Sequence, residues 1–405
     1  MWTAAVTSHN DMAIDAARCS VFVPPRLRSE HGIEEGRRVT WLELFFDLVF
    51  VAAVAQVGTH LRDDYSLPGL LRFSFLFALI WWAWLGHTTF STRFDTDDLV
   101  QRALTGLQMF LVAVMAINAT GALDSRDSAG FAAAYSVMRF ILVGQYLRVR
   151  HVRQARALTT RYAASCGTAA LMWLVSAVIP APGRFAIWAL ALIVDVLTPL
   201  LATRHLVNVP HDGAHLPERY GLFSIILLGE SMVAVMTGMG RQEYWSPDAA
   251  ASAILGMTLV FAVWWWYFDG VDAVAERVMR SNSDAVRFHI WSYAHLPLYL
   301  GIAVAGVGVE HVIVTATTAP LTATEGWILC SAIAALMVAM MVIGRTHHRA
   351  RTDHSVTRLV VPGVVVVLVL LLGLSADRLM PSMLLAGVTI LCLAQLIHTV
   401  RSTAA

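Results

Sequence analysis

The sequence predicts an all-α polytopic membrane protein with about twelve transmembrane helices in two pseudo-symmetric six-helix halves. Of its 405 residues, 57% are hydrophobic and 14% are charged, and the mean hydropathy is +0.63. Soluble domains are far less apolar on average. Apolar windows of about 20 residues, the length of a membrane-spanning helix, also recur along the whole chain. Two stretches of the sequence resemble each other, which predicts the two halves.

The predicted spans follow the apolar windows in order. They cover residues 41–61, 67–91, 98–120, 129–149, 157–179, 184–203, 219–240, 249–268, 285–310, 325–344, 357–375 and 380–400. Arginines cluster after the even-numbered spans and are sparse on the opposite side, so the positive-inside rule predicts that both termini are cytoplasmic. The predicted organisation is a cytoplasmic N-terminal tail (1–40), a first half (41–204), a cytoplasmic linker (205–218) and a second half (219–405).

The internal similarity joins two helices and the segments that follow them. Leu44–Gly58 and Leu222–Gly238 both begin with Leu-Phe, contain a carboxylate and end on glycine. A tryptophan-rich stretch then runs into acidic residues in each half, at Arg93–Asp98 and at Asp269–Asp272. A repeat of this kind predicts a working cavity at the interface of the halves.

The composition removes two kinds of chemistry. The chain contains no lysine, so a Schiff-base mechanism is excluded. Its four cysteines, Cys19, Cys166, Cys330 and Cys392, are isolated, which predicts neither a disulfide framework nor a zinc-thiolate site. We expect the lipid bilayer and a lipidic or small-molecule substrate as partners, and no nucleic acid. The oligomeric state stays open.

The two acidic segments are candidate metal sites. Asp95 and Asp98 in one, and Asp269 and Asp272 in the other, place like charges close together, and a cation such as Mg²⁺ would relieve their repulsion. The alternative is that these acids are solvated loop residues that cap helices, with Asp98 capping the third span. Both interpretations are open at this level.

Aromatic and basic residues flank the acidic segments. Trp82, Trp265 and Trp266 are candidates to line a pocket for a carbocation, because aromatic faces attract cations. The alternative is an interfacial aromatic belt. The candidate phosphate-binding residues are Arg93, Arg102 and Arg277. The positive-inside rule also predicts arginines there.

Ionisable residues within the apolar spans are functional candidates. Glu43 and Asp47 lie four residues apart on one helix face, and Glu230 and His295 fall near the middle of their spans. These four residues are predicted to position groups or to move protons. We expect Arg139 to pair with Asp195 or Glu230. His295 is a candidate for a proton relay or for a hydrogen-bonded core residue.

Four motifs in order give the chain a family resemblance. These are Glu43-Leu-Phe-Phe-Asp-Leu-Val-Phe, Arg93-Phe-Asp-Thr-Asp-Asp-Leu, His215-Leu-Pro-Glu-Arg-Tyr-Gly-Leu-Phe with Leu228-Gly-Glu-Ser, and Tyr293-Ala-His-Leu-Pro-Leu. Together they resemble the bacterial low temperature requirement A (LtrA) family. The resemblance implies a multi-pass protein of the bacterial inner membrane.

The Asp95-Thr-Asp-Asp98 string also resembles the acidic motifs of terpene cyclases, and the overall layout resembles UbiA-type prenyltransferases. Our first hypothesis is therefore a Mg²⁺-dependent intramembrane enzyme that acts on isoprenoid or other lipidic diphosphates. The alternative is a proton-coupled secondary transporter that uses the carboxylates and histidine within the spans. A structural membrane factor without catalysis is a third possibility.

Overall fold

The computed structural model of the protein is helical apart from loops and one pair of two-residue strands within its described part. The described residues are 21–27, 39–96, 98–124, 126–207, 209–244, 246–270, 277, 279–315, 320–346 and 357–404. Asp272, a predicted metal ligand, lies outside these ranges.

The helices follow the predicted spans closely. They are α1 (Trp41–Asp63), α2 (Leu67–Ser91), α3 (Leu99–Ala122), α4 (Ser128–Arg148), α5 (Arg156–Ser176), α6 (Gly183–Leu201), α7 (Thr203–Leu206), α8 (His215–Gly240), α9 (Pro247–Trp265), α10 (Asn282–Thr315), α11 (Ala323–Arg345), α12 (Thr357–Leu374) and α13 (Pro381–Ala404). Nine helices of the described part are long and apolar enough to cross a membrane, which agrees with a polytopic protein. Helices α4, α5 and α12 fall outside that group, so the count of twelve spans stays a prediction.

Local sequence signals explain where several helices begin. Asp98 caps α3, and its side chain accepts a hydrogen bond from the Gln101 backbone N–H. Thr322 and Glu325 form a reciprocal capping box at the start of α11. Such caps satisfy backbone N–H groups that the first helical turn leaves without partners.

The chain divides into two compact units that differ from the predicted halves. One unit contains residues 1–49 and 82–216, and the other contains residues 50–81 and 217–405. The boundaries fall inside α1, α2 and α8. The prediction of two halves at 41–204 and 219–405 is neither confirmed nor contradicted by this division, and it stays a prediction.

In the first unit, α3, α4, α5 and α6 pack consecutively. Buried aromatic rings fill the space between them, with the Trp173 and Trp188 ring centroids 4.9 Å apart. A short antiparallel pair, β1 (Arg26–Leu27) with β2 (Phe94–Asp95), brings part of the predicted N-terminal tail onto this unit. Leu27 is buried there among apolar residues, so this part of the tail is tied to the helices.

In the second unit, α10 packs along α11, α11 packs on α12, and α13 packs on α9 and α12. The close approach of α10 and α11 requires glycine at position 301. A Cβ atom there would lie 2.8 Å from the Ala332 carbonyl oxygen and 2.9 Å from Leu336 Cβ. The dispersion energy of such close packing, together with lipid exclusion, holds membrane helices together.

Candidate functional site

Asp47 is a deeply buried carboxylate in the first unit. The Trp84 indole on α2 donates a hydrogen bond from Nε1 to Asp47 Oδ1 at 2.6 Å, and neither side chain is exposed. A buried carboxylate needs such a donor because leaving it unpaired costs several kcal/mol. This contact places a buried acid beside the Trp84 ring, and the catalytic role of Asp47 stays a prediction.

Glu43 lies in the first turn of α1, and its carboxylate contacts Thr40 and His215. Its Oε2 accepts hydrogen bonds from the Thr40 backbone N–H and hydroxyl at 2.9 and 3.0 Å. Its Oε1 lies 3.2 Å from Nε2 of His215. Glu43 is therefore the third residue of a capping box, and the Thr40-x-x-Glu43 pattern in the sequence signals it. His215, which falls in the predicted linker, is the buried first residue of α8.

Arg93 is buried without a described carboxylate partner. Its side chain is 2% exposed, and its guanidinium carbon lies 5.9 Å from the centre of the Tyr162 ring. The Nε and Nη1 atoms are enclosed, and no described residue accepts a hydrogen bond from them. The ring centre of Tyr146 lies 5.1 Å from that of Tyr162. The Tyr146 hydroxyl is also enclosed, and it has no hydrogen-bond partner among the described residues. Buried donors of this kind require an acceptor, and an anion is the acceptor a guanidinium favours.

Asp98 is fully occupied by hydrogen-bond donors. Its Oδ2 accepts from the Val23 N–H at 2.8 Å and from Arg148 Nη2 at 2.6 Å, and its Oδ1 accepts from the Gln101 N–H at 2.7 Å. Burial alone raises the pKa of the Asp98 carboxyl. The two backbone hydrogen bonds and Arg148 outweigh burial and hold this pKa below its usual value. The capping alternative for Asp98 is confirmed. Its assignment as a Mg²⁺ ligand stays a prediction, and three donors already contact its two oxygens.

The remaining predicted metal ligands do not form a site within the described ranges. Asp95 is partly buried in β2, opposite Arg26. Asp269 is exposed in a short π-helical turn, Trp266–Gly270, which follows α9. Among the described residues, no three His, Cys, Asp or Glu side chains form a cluster that could hold a metal ion.

The predicted aromatic and basic residues differ in burial. Trp82 in the first unit and Trp266 in the second are buried, whereas Trp265 is 39% exposed. Arg102 lies on the exposed surface of α3. In the second unit, Arg277 donates to the Thr346 hydroxyl at 3.0 Å and lies 4.6 Å from the centre of the Trp291 ring.

His295 is a hydrogen-bonded core residue in the second unit. Its Nδ1 lies 2.7 Å from the Trp291 carbonyl oxygen, so this nitrogen is the donor. Its Nε2 lies 3.0 Å from the Tyr267 hydroxyl, which acts as donor to it. The side chain is fully buried among aromatic rings. Both ring nitrogens are thus engaged within the core.

Glu230 belongs to a charge network in the second unit. Arg62 Nη2 donates to Glu230 at 3.1 Å, and Arg62 Nε donates to Glu310 at 2.8 Å. Arg241 Nη1 lies 3.2 Å from the other oxygen of Glu310. Two arginines therefore balance two carboxylates. Glu310 did not emerge from the sequence as a candidate, although an isolated acid in an apolar span is a sufficient signal.

Arg139 and Asp195 form a second buried ion pair, in the first unit. The Arg139 Nη2 atom lies 3.0 Å from Asp195 Oδ2, and it also donates to the Tyr135 hydroxyl at 2.7 Å. Gly86 on α2 leaves room for this guanidinium, because a Cβ there would lie 3.0 Å from Arg139 Nη1. The predicted pairing of Arg139 with Asp195 is confirmed, and Glu230 pairs with Arg62 instead.

These features define a multi-pass membrane protein whose described helices enclose paired charges and, at Arg93, a buried guanidinium without a described carboxylate partner. Residues 38–394 match the family of the bacterial low temperature requirement A protein (LtrA), and the chain belongs to this family. A relative in Rhizobium meliloti (strain 1021), named Uncharacterized protein RA0937, is 30% identical over 285 residues, which cover 67% of this chain and 68% of the relative. No solved structure matches the chain.

Proposed function

We propose that this protein is an intramembrane enzyme that binds an isoprenoid or similar lipidic diphosphate at Arg93. The observation that carries the proposal is the buried guanidinium whose Nε and Nη1 have no described acceptor. A phosphate group offers oxygens to such a donor set, and its charge offsets the cost of burying the arginine. The neighbouring Tyr146 hydroxyl is a further donor for the same oxygens.

The spacing along α2 suits a substrate with a charged head and an apolar tail. Trp84 lies seven positions, or roughly 10 Å of helix, before the end of α2 at Ser91, and Arg93 follows in the turn after it. A diphosphate at Arg93 would leave an isoprenoid chain beside the buried Asp47 and Trp84 pair. There Asp47 would act as the general acid and Trp84 and Trp82 would stabilise a carbocation. Glu43 is less suited to acid catalysis because its Oε2 serves the capping box.

In this proposal, any Mg²⁺ ion would be bound through the diphosphate of the substrate. Asp98 is engaged by three donors, so no step is assigned to a metal at that residue. A Mg²⁺ requirement stays a prediction, because Asp95, Asp269 and Asp272 are candidates without a described cluster. Activity measured with excess EDTA and with added Mg²⁺ tests it directly.

The experiment uses the purified full-length protein with a series of prenyl diphosphates. Pyrophosphate release reports ionisation, and mass spectrometry of the organic extract reports cyclised products that retain the diphosphate. Arg93→Gln is expected to raise the KM roughly 10- to 100-fold, the range for losing a charged hydrogen bond. Arg126→Gln is the matched control, because Arg126 is an exposed arginine of the same unit. Equal KM values for both variants would rule out substrate binding at Arg93.

A proton-coupled transporter is the second candidate, and the Arg62, Glu230 and Glu310 network favours it. Glu230 is 27% exposed at its side chain, whereas Glu310 is 2% exposed and has two arginine partners. Glu230 is therefore the more accessible of the two carboxylates. In proteoliposomes with an internal pH-sensitive dye, Glu230→Gln should abolish proton movement that depends on a solute gradient. Asp248→Asn, at an exposed position, should retain it. Absence of any such proton movement in the unaltered protein would exclude this candidate.

A further inference from the structure

The connection between α4 and α5 and the first turns of α5 carry a cluster of four exposed arginines that contact no carboxylate within the described ranges. Arg150, Arg153, Arg156 and Arg161 are all exposed. No Asp or Glu occurs in the sequence between Asp127 and Asp195, so this stretch has no local counter-charge. Arg148, the last residue of α4, is the exception because it pairs with Asp98, the cap of α3.

Apolar surface adjoins the arginines on the same helices. Leu147, one residue before Arg148, is 49% exposed, and Phe140 is also exposed two turns earlier. On α5, Leu171 and Leu174 are exposed further from the cluster. The cluster therefore lies at one end of an apolar surface. A basic end on an apolar helical surface is the arrangement found where a helix meets lipid headgroups.

We infer that the surface formed by Arg150, Arg153, Arg156 and Arg161 binds the phosphate groups of anionic phospholipids. Arginine is suited to this partner, because its planar guanidinium can donate two hydrogen bonds to one phosphate. The site is distinct from Arg93, which is buried. It requires neither of the two functions proposed above.

Native mass spectrometry of the detergent-purified protein tests this inference. The probes are dioleoyl phosphatidylglycerol and dioleoyl phosphatidylcholine, which share the acyl chains and differ in net charge. We expect phosphatidylglycerol to bind more tightly, and the preference to weaken in about 1 M ammonium acetate, a volatile salt, because salt screens exposed charges. Equal binding of the two lipids would overturn the inference.

A triple variant tests whether phosphatidylglycerol binds at this arginine cluster. Replacing Arg150, Arg153 and Arg156 by glutamine should weaken phosphatidylglycerol binding roughly 100-fold, at about fivefold for each surface arginine. The control replaces Arg126, Arg345 and Arg378, which are exposed and carry the same total charge. An equal loss in both triple variants would show a response to net charge alone and would refute the site. If the triple variant does not fold, Arg153→Gln alone is expected to weaken binding about fivefold, and unchanged binding would refute the site.

Discussion

The Trp84 indole donates a 2.6 Å hydrogen bond to the carboxylate of Asp47, and both side chains are fully enclosed. The bond joins α1 to α2 across 37 residues of sequence. It is also the contact that makes Asp47 a buried acid beside aromatic rings. Its loss should therefore affect stability as well as any proton transfer by Asp47.

Trp84→Phe is expected to destabilise the protein, because it retains an aromatic ring and removes the only donor atom of the indole. Removing one hydrogen bond from a buried carboxylate costs about 1–3 kcal/mol. Thermal unfolding in detergent, followed by intrinsic fluorescence, measures the effect. The control is Trp265→Phe, since Trp265 is 39% exposed and its replacement should change stability by no more than about 0.5 kcal/mol. An unchanged unfolding temperature for Trp84→Phe would contradict the role of the bond.

Substitutions of Arg139 and Asp195 should have strongly non-additive effects on the free energy of unfolding. Arg139→Met leaves a buried carboxylate without its cation and should cost about 3–5 kcal/mol. The double variant Arg139→Met with Asp195→Leu removes both charges and should recover most of that loss. A double-mutant cycle based on unfolding temperatures or denaturant midpoints measures the coupling. Additive losses would mean that the two charges do not depend on each other.

The lowered pKa of Asp98 predicts that the protein loses stability at acid pH. Because its pKa is lowered in the folded state, its contribution is fully present above the unfolded-state pKa of 3.8. The contribution is lost as the pH falls through the lower folded-state pKa. The difference in unfolding temperature between the unaltered protein and Asp98→Asn should therefore be constant from pH 5 to pH 7, and it should shrink below about pH 4.

Asp248→Asn is the control for this pH series, because Asp248 is an exposed acid in the first turn of α9. The unfolding temperature of Asp248→Asn should differ less from that of the unaltered protein at every pH than that of Asp98→Asn does. A difference between Asp98→Asn and the unaltered protein that grows as the pH falls would contradict the assigned direction of the pKa shift.

Local patterns in the sequence predict the helices and some of the contacts at their ends. The start of α3 at Asp98 follows from an aspartate before an apolar run, and the structure has that cap. Thr40-x-x-Glu43 is an equally clear capping-box pattern, although the apolar run around Glu43 predicts a functional role within the membrane instead. The sequence predicts a linker at His215, because no local pattern relates this residue to Glu43, 172 residues away in the sequence.

The sequence by itself determined that the chain crosses a membrane repeatedly and belongs to the LtrA family. Membrane crossing follows from runs of apolar residues, and family membership follows from motifs in a fixed order. Both can be recognised without knowledge of the tertiary structure. Only the tertiary structure decided which charges meet. Arg62 pairs with Glu230 and Glu310, at separations of 168 and 248 residues, and Arg93 meets no described carboxylate. Those outcomes depend on how each helix is rotated and on which helices pack together, which hydropathy does not encode.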